Sequence, residues 1–338
     1  MTIRVAVVGA GGIGRLHANA YRADGRAEVV AVCEPDPERA RAFARDYGCP
    51  AFAGVAEMIA SGTRVDTASV ATAGLDNGSD HHAPTIALLA ADIAVLGEKP
   101  ISNDLAEATE MVALARQREI PYGINLNHHF TPAARRAKEW IDAGRLGEVN
   151  MARITLWLGN PNESSPYFHL RALHPHSVDV LRYLCGDIER VHALLKRGPG
   201  RINWSNALLN LEFRSGVIGV LTGSYDAGPA YGLERCEVIG SKAMLTIQNA
   251  FELLTLTNRS GGVVERHENL GGMTAFDQTF QARVTAWIDD LVKRTRPEDI
   301  DGSGEDGLRA QQVIEAAIES WEQQTVVQVG TPVSTGHS

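Results

Sequence analysis

Cysteine is scarce and scattered. The 338 residues hold four (Cys33, Cys49, Cys185 and Cys236) with no CxxC pair, which argues against a disulfide framework or a zinc knuckle and reads as reduced thiols of a cytoplasmic protein. Basic charge is in deficit too. Lys and Arg total 32 against 41 Asp and Glu, for a net charge of −9, a balance unsuited to nucleic acid or an anionic membrane as main partner. No stretch reaches the roughly 18–20 apolar residues of a membrane helix. The opening MTIRVAVVGAGGIG breaks into glycines too early for the basic-then-apolar layout of a signal peptide. Internal repeats and low-complexity tracts are missing as well. What is there is ordinary globular text, 44% hydrophobic and 22% charged, long enough for two domains.

The first third alternates short apolar runs with helical stretches. Val5-Ala6-Val7-Val8 is apolar without alternation, as a central parallel strand covered on both faces should be. Helical text over 13–22, a strand over 28–33 and a helix over 37–47 with Pro37 in its first turn follow. The pattern continues with strands near 66–70, 93–96 and 122–126, and helices near 84–91 and after Ser102 or Asn103. Strands alternating with helices predict an α/β domain built on a doubly wound parallel sheet. Beyond Asn127 the text changes. A helix over 132–143, a strand over 148–158 and a helix from Pro175 to Cys185 lead into a region, 188–267, that reads almost entirely as strand with short turns. Two helices close the chain, over 277–294 and 305–323, before a frayed end at 331–338. The expected division is residues 1–127, then an α+β domain over 128–332 with a large, mostly antiparallel open sheet.

Gly9-Ala10-Gly11-Gly12-Ile13-Gly14 fits GxGxxG between a predicted strand and a predicted helix. Gly9 makes the tight turn, Gly11 admits a pyrophosphate to the backbone, and Gly14 lets the helix press on the strand. The helix N-terminus supplies N–H groups for the phosphates. Glu34 stands 20 residues after Gly14, where a carboxylate receives the adenosine ribose hydroxyls and repels a 2′-phosphate. That favours NAD, while Arg39 and Arg41 just beyond keep NADP open. The first domain therefore reads as a Rossmann dinucleotide-binding domain. Gly97-Glu98-Lys99-Pro100 follows the fifth strand, so Lys99 should point into the crevice beyond the strand ends.

These features, with Phe130-x-Pro132 opening a helix that ends in Gly-Arg-Leu-Gly at 144–147 and a His176-x-x-Asp179 helix followed by Tyr183-Leu184-Cys185-Gly186, resemble the glucose–fructose oxidoreductase / inositol dehydrogenase / rhizopine-catabolism (Gfo/Idh/MocA) family of NAD(P)-dependent sugar oxidoreductases over nearly the whole chain. The resemblance implies that Lys99 hydrogen-bonds the reacting oxygen, that His176 is the general acid/base and that Asp179 lies near substrate hydroxyls. The chemistry is sensible. Hydride loss from a secondary alcohol requires removal of the O–H proton, which an imidazole can take, and an ammonium stabilises the developing alkoxide. Expected cofactor contacts are Gly9, Gly11, Gly12, Ile13, Gly14, Glu34, Thr72, His82, Glu98 and Lys99. Expected substrate contacts are Lys99, Asn127, His128, Tyr167, His169, His176 and Asp179.

One position departs from the family. Many members carry an aspartate four residues before the proton-transferring histidine, where this chain has Ala172. With Pro175 read as the first helical residue, His176 falls in the first turn, where the helix dipole favours the neutral imidazole; Asp179 or His174 are the candidates to replace the aspartate. The histidine groups 81–82, 128–129 and 169/174/176 lack metal-site spacing, so no metal is expected. His82 is placed near the cofactor and His81 in solvent. The segment 160–174 reads as a long loop rich in polar side chains, with Arg171 either on the surface or facing a substrate carboxylate. The loop 73–80 is longer than the family suggests and borders the nicotinamide end of the cleft. The reading is an NAD-dependent dehydrogenase of a sugar, cyclitol or related polyol, a homodimer or homotetramer through an uncovered sheet face. Two rivals stand beside it: a glycosidase working by transient oxidation with tightly held NAD, and a non-catalytic NAD-binding regulator.

Overall fold

The computed structural model describes residues 2–72, 77–228 and 233–330. In chain order the elements are β1 (Ile3–Val8), α1 (Gly12–Asp24), β2 (Ala27–Cys33), α2 (Pro37–Tyr47), β3 (Ala51–Phe52), α3 (Val55–Ala60), β4 (Thr67–Val70), α4 (His82–Ala90), β5 (Ala94–Gly97), α5 (Leu105–Gln117) and β6 (Tyr122–Ile124). A 3-10 turn, Asn127–Phe130, leads to α6 (Pro132–Asp142), β7 (Val149–Trp157), α7 (Phe168–Cys185), β8 (Ile188–Lys196), β9 (Asn206–Phe213) and β10 (Ile218–Ser224). Then come β11 (Leu233–Gly240), β12 (Ala243–Gln248), β13 (Leu253–Asn258), β14 (Val263–Glu268), α8 (Asp277–Lys293), α9 (Gly304–Gln323) and β15 (Val327–Gln328). Among the described residues, no helix is long and apolar enough to cross a membrane.

The chain forms two compact units, 1–131 with 273–308, and 132–272 with 309–338. The expected boundary at 127/128 therefore shifts, and the expected 128–332 stretch loses 128–131 and 273–308 to the first unit. The reason lies in α8. Its Val284, Trp287 and Ile288 are buried with Ile3, Val5, Ala20, Tyr21 and Leu96, and the Trp287 indole donates to Thr67 Oγ1 at 3.1 Å. Arg283, fully buried, donates to the carbonyls of Ile124 and Gly302. Helical spacing identified this stripe as core but not which core it completes.

The first unit carries six parallel strands in the order β3-β2-β1-β4-β5-β6, the doubly wound arrangement that sets a ligand crevice beyond the carboxyl ends of the strands. β1, β4 and β5 are buried along almost their whole length, which explains their unbroken apolar text. α5 is capped by Asp104, whose carboxylate accepts from the amides of Ala106 and Glu107. The expected caps fail because Ser102 is buried and its hydroxyl donates to Glu107.

The second unit carries a nine-stranded sheet, β14-β13-β12-β11-β7-β10-β9-β8-β15. Every pair is antiparallel except β7 with β10. Alternation is plain in β9, whose even-numbered residues Leu208, Asn210 and Glu212 are exposed while Ala207, Leu209, Leu211 and Phe213 are buried. The buried face packs with residues of α6, α7 and the later part of α9. The opposite face leaves Met151, Trp157, Leu194, Leu208, Ile218 and Ile239 exposed.

α7 corrects the expected helix start. It begins at Phe168, so Pro175 lies inside it and not at its first turn. An internal proline forfeits one hydrogen bond and costs about 3 kcal/mol in an isolated helix. Here the preceding turn is held from outside, since Arg171 donates Nε and Nη2 to the two carboxylate oxygens of Glu315 on α9 at 2.8 and 2.7 Å. Residues 168–174 are helix, not loop, and Arg171 is neither a plain surface residue nor open to a substrate carboxylate.

Candidate active site

In the first unit the glycine loop joins β1 to α1 as its spacing requires. Gly9 has φ +97°, and a side chain there would meet the Ala71 carbonyl oxygen at 2.7 Å. A Cβ on Gly14 would lie 1.9 Å from the Gly9 carbonyl oxygen, so only glycine allows α1 to sit this close to the loop. At Gly11 and Gly12 an added Cβ meets nothing within 4 Å. Gly11 is the N-cap of α1, with no side-chain cap and no acid in the first turn. An uncapped, glycine-lined helix N-terminus is a place for phosphate oxygens. Ile13 is exposed beside it.

Glu34 stands at the carboxyl end of β2, buried, and its role is wider than expected. Oε2 accepts from the Ala10 amide at 2.9 Å, while Oε1 accepts from the Asp36 amide and from Arg39 Nη2. The carboxylate thus fixes the glycine loop itself. Burial works against its charge, but Arg39 and the two amides prevail and hold its pKa below the usual glutamate range. Arg39 is therefore paired with Glu34, while Oε2 of the carboxylate keeps one lone pair for a ribose hydroxyl.

Glu98 and Lys99 follow β5. Glu98 is buried, and its Oε1 receives Asn125 Nδ2 at 2.6 Å and His17 Nε2 at 2.8 Å; Oε2 receives the Lys99 amide. His17 Nδ1 continues to Ser69 Oγ at 3.0 Å and Ser69 to Tyr21 Oη at 2.9 Å. α1, β4, β5 and the end of β6 thereby share one buried polar chain whose effect is to fix the backbone at Lys99. Lys99 is half-buried, and burial lowers its pKa while the Glu98 charge opposes the shift. The Lys99–Pro100 peptide is cis.

The expectation of a solvent-facing His81 is overturned. His81 is buried, with Nδ1 at 2.8 Å from the Pro100 carbonyl oxygen and Nε2 against the carbonyl of Thr72. His82 opens α4 but turns to α5, pairing with Glu110 at 2.9 Å. Apolar neighbours do not distinguish two adjacent histidines in sequence; the helix start does, since the residue before it faces inward here. Of the long loop after β4, residues 73–76 lie outside the described residues, and Thr72 Oγ1 donates to the Asp80 carbonyl. Asn127 donates to Thr279 Oγ1 at 2.6 Å, and His128 is buried edge-on to Phe276.

The second unit holds the other half of the expected residues on or beside α7. His169, His174, His176 and Asp179 are all buried. His169 and His174 touch through their Nε2 atoms at 3.2 Å, and His174 Nδ1 reaches Ser177 Oγ. Burial drives both imidazoles to the neutral form, His169 down to about 3. Gly223 on β10 makes room for the pair, since a Cβ there would fall 1.9 Å from His174 Nε2. His176 lies mid-helix, so the dipole argument for its neutral form falls with the corrected helix start. Tyr167 directs its hydroxyl to Glu322 at 2.7 Å, away from the role of a freely placed substrate donor. Sequence reasoning missed His17 and Asn125. The available signal for His17 was its place three residues after Gly14, on the helix face that must meet the sheet.

The residues fit a dinucleotide. The N-terminus of α1 opens onto space at Gly11 and Gly12, and the Oδ1 atoms of Asn125 and Asn127 beyond β6 are buried without a hydrogen-bond partner, acceptors suited to an amide donor. Among the described residues no group of three His, Cys, Asp or Glu side chains is placed to hold a metal ion.

Comparison with known proteins agrees with this geometry. Residues 3–126 match the family described as "Oxidoreductase family, NAD-binding Rossmann fold", and residues 134–246 match the "GFO/IDH/MocA C-terminal domain". The chain is 26% identical over 334 residues to inositol 2-dehydrogenase of Rhizobium meliloti (strain 1021), covering 95% of this chain and 97% of that protein. It is 28% identical over 268 residues to D-apiose dehydrogenase of Paraburkholderia graminis, covering 76% and 70%. Among solved structures, levoglucosan dehydrogenase in complex with NADH superposes with a TM-score of 0.86 at 20% identity, covering 98% of this chain and 100% of that one.

Proposed function

The chain belongs to the Gfo/Idh/MocA family of NAD-binding oxidoreductases, and from that premise we propose that it is a dehydrogenase oxidising a secondary hydroxyl of a sugar, cyclitol or related polyol, or reducing the matching ketone. The observation that carries the reading is the uncapped N-terminus of α1 at Gly11, set in the same parallel sheet as a lysine whose backbone is held by Glu98 at the end of β5. Relatives named for inositol and apiose support a polyhydroxylated substrate.

In this reading Gly9, Gly11, Gly12, Ile13 and Gly14 hold the pyrophosphate, and Glu34 receives the adenosine ribose. Thr72, His82 and Glu98 complete the cofactor contacts, His82 with the least support because its ring is engaged by Glu110. NAD, when bound, would accept the hydride on oxidation, and NADH would supply it on reduction. The protein's own part is electrostatic and protic. Lys99 donates a hydrogen bond to the reacting oxygen and stabilises negative charge there. His176 removes the hydroxyl proton on oxidation and returns it on reduction. Asp179, Asn127, His128, Tyr167 and His169 order the remaining hydroxyls, with Tyr167 acting through its Glu322-bound ring.

The test is an absorbance screen at 340 nm of inositols, aldoses, sugar acids and phosphorylated sugars with NAD and NADP. Substrate-dependent NADH formation is expected, with NAD preferred. Sugar release from a glycoside without net NADH would favour the glycosidase chemistry, and binding of NAD with no turnover of any polyol would favour a regulator. The exposed apolar face of the nine-stranded sheet supports pairing with further copies of this chain, so light scattering should give a dimer or tetramer mass. A monomer at micromolar concentration contradicts it.

A further inference from the structure

On α7 the residues His169, Ala172, His176 and Asp179 are spaced three, four and three apart, which sets them on one stripe of the helix. All four are buried. The stripe carries the proposed general base, His176, and only a methyl group one turn before it, at Ala172. His169 stands two turns before His176, roughly 10 Å along the axis at 1.5 Å per residue. A ligand held at His176 and extended along this stripe reaches His169 next.

His169 is fixed from several sides. Its Nε2 lies 3.2 Å from His174 Nε2, and His174 Nδ1 lies 3.2 Å from Ser177 Oγ. Both rings pack over Gly223 on β10, where an added Cβ would meet His174 Nε2 at 1.9 Å and His169 Cε1 at 2.9 Å. The Tyr225 ring meets His169 edge-on, with centroids 4.7 Å apart. At the far end of this chain, His169 Nδ1 is buried and has no hydrogen-bond partner, on a residue only 1% exposed. A buried polar atom left in that way costs about 1–3 kcal/mol, which a bound ligand would recover.

Burial keeps both imidazoles neutral, so each ring carries one N–H and one proton lies between the two Nε2 atoms. Two arrangements satisfy this. When Ser177 donates to His174 Nδ1, His174 donates to His169 Nε2, and His169 Nδ1 carries a proton. When His174 Nδ1 donates to Ser177, His169 Nε2 donates to His174, and His169 Nδ1 presents a lone pair. The group that meets both is a hydroxyl, which donates and accepts; a carboxylate meets only the first and an ammonium only the second. We propose that His169 Nδ1 binds a hydroxyl of the substrate other than the reacting one, with His174 and Ser177 as positioning residues that set its tautomer. This rests on the dehydrogenase reading above and narrows its substrate to a polyol with a second hydroxyl set apart from the reacting carbon, past Ala172.

The experiment is nitrogen NMR of the whole protein labelled in its histidine rings, at saturating NADH, with myo-inositol, scyllo-inositol, glucose and apiose added in turn. Ring nitrogens with and without a proton resonate far apart, so the spectrum reads the tautomer directly. The expected result is that at least one polyol moves the His169 Nδ1 resonance, and the His174 resonances with it. The proposal is overturned if no polyol moves them, or if His169 responds while His174 does not. Two variants read the same contact in kinetics. His169→Gln reaches the place of Nε2 but not of Nδ1, and should raise KM about tenfold, as loss of one hydrogen bond does, with a much smaller change in kcat. His169→Asn keeps an amide near the place of Nδ1 and should raise KM less, about threefold. Equal effects, or the reverse order, mark a merely structural ring and overturn the proposal. The two readings fail separately: resonances that move without turnover of any polyol sink the dehydrogenase reading, and turnover with unmoved resonances sinks this one.

Discussion

Two glycines make room for the chemistry in different ways, and the contrast between Gly14 and Gly223 separates the two units. Gly14 clears a backbone carbonyl: an added Cβ would meet Gly9 O at 1.9 Å. Gly223 clears a side chain: the same atom would meet His174 Nε2 at 1.9 Å. In the first unit the glycine loop is made of main chain, of amides at a helix start and of strand ends in fixed order. In the second the candidate site is made of imidazoles and carboxylates held by contacts across elements. Backbone sites answer to local rules of spacing, whereas side-chain sites answer to packing that no short motif encodes.

The sharpest way to press that contrast is to fill both gaps. Gly14→Ala puts a methyl against the rigid Gly9 carbonyl and should cost roughly 3 kcal/mol or more, the upper end for overpacking. The expected outcome is loss of NADH binding by fluorescence together with a markedly lower denaturation midpoint. Gly11→Ala is the control, since the space around it is open; it should leave the denaturation midpoint nearly unchanged and weaken NADH binding. Equal effects on stability would break the distinction.

Gly223→Ala should cost less, about 1–3 kcal/mol, because a ring can shift where a carbonyl cannot. The expected readout is unchanged NADH affinity with a lower midpoint and a raised KM, as the His169–His174 contact is displaced. An unaltered KM would remove His169 from the substrate residues.

The smallest effect concerns pH. Burial lowers the Lys99 pKa and Glu98 raises it. If protonated Lys99 stabilises the reacting oxygen, turnover falls on the alkaline side at a pH below the ordinary lysine value of about 10.4. Glu98→Gln removes the raising influence, so the alkaline limb should move to still lower pH, as followed in kcat/KM profiles. A limb that stays in place would show that another group controls it.

Much of the first unit was legible from residue order. The GAGGIG loop, the run of buried strands and Pro37 at a helix start each express a rule that acts over a few residues. β3, two residues long, and α3, six residues long, escaped because neither is long enough to show a period. The helix over 168–174 escaped for another reason. Pro175 is a sound helix-start signal locally, yet the helix runs through it from Phe168, where Arg171 pairs with Glu315, 144 positions away. The return of α8 to the parallel sheet was hidden in the same way. Its apolar stripe states that it is buried but is equally compatible with either core. The His169–His174 contact had no signature at all, since it forms only where β10 brings Gly223 beneath both rings.

The account's central claim is that Lys99 hydrogen-bonds the reacting oxygen and that His176 moves its proton. Single-turnover absorbance at 340 nm with Lys99→Ala and His176→Ala, beside NADH affinity measured by fluorescence, tests it most directly. At saturating NADH each variant should lose about 10²–10⁴ in the hydride-transfer rate, the range for a general acid–base or electrostatic group, and His176→Ala should bind NADH as the wild type does. A wild-type transfer rate in either variant would contradict the claim.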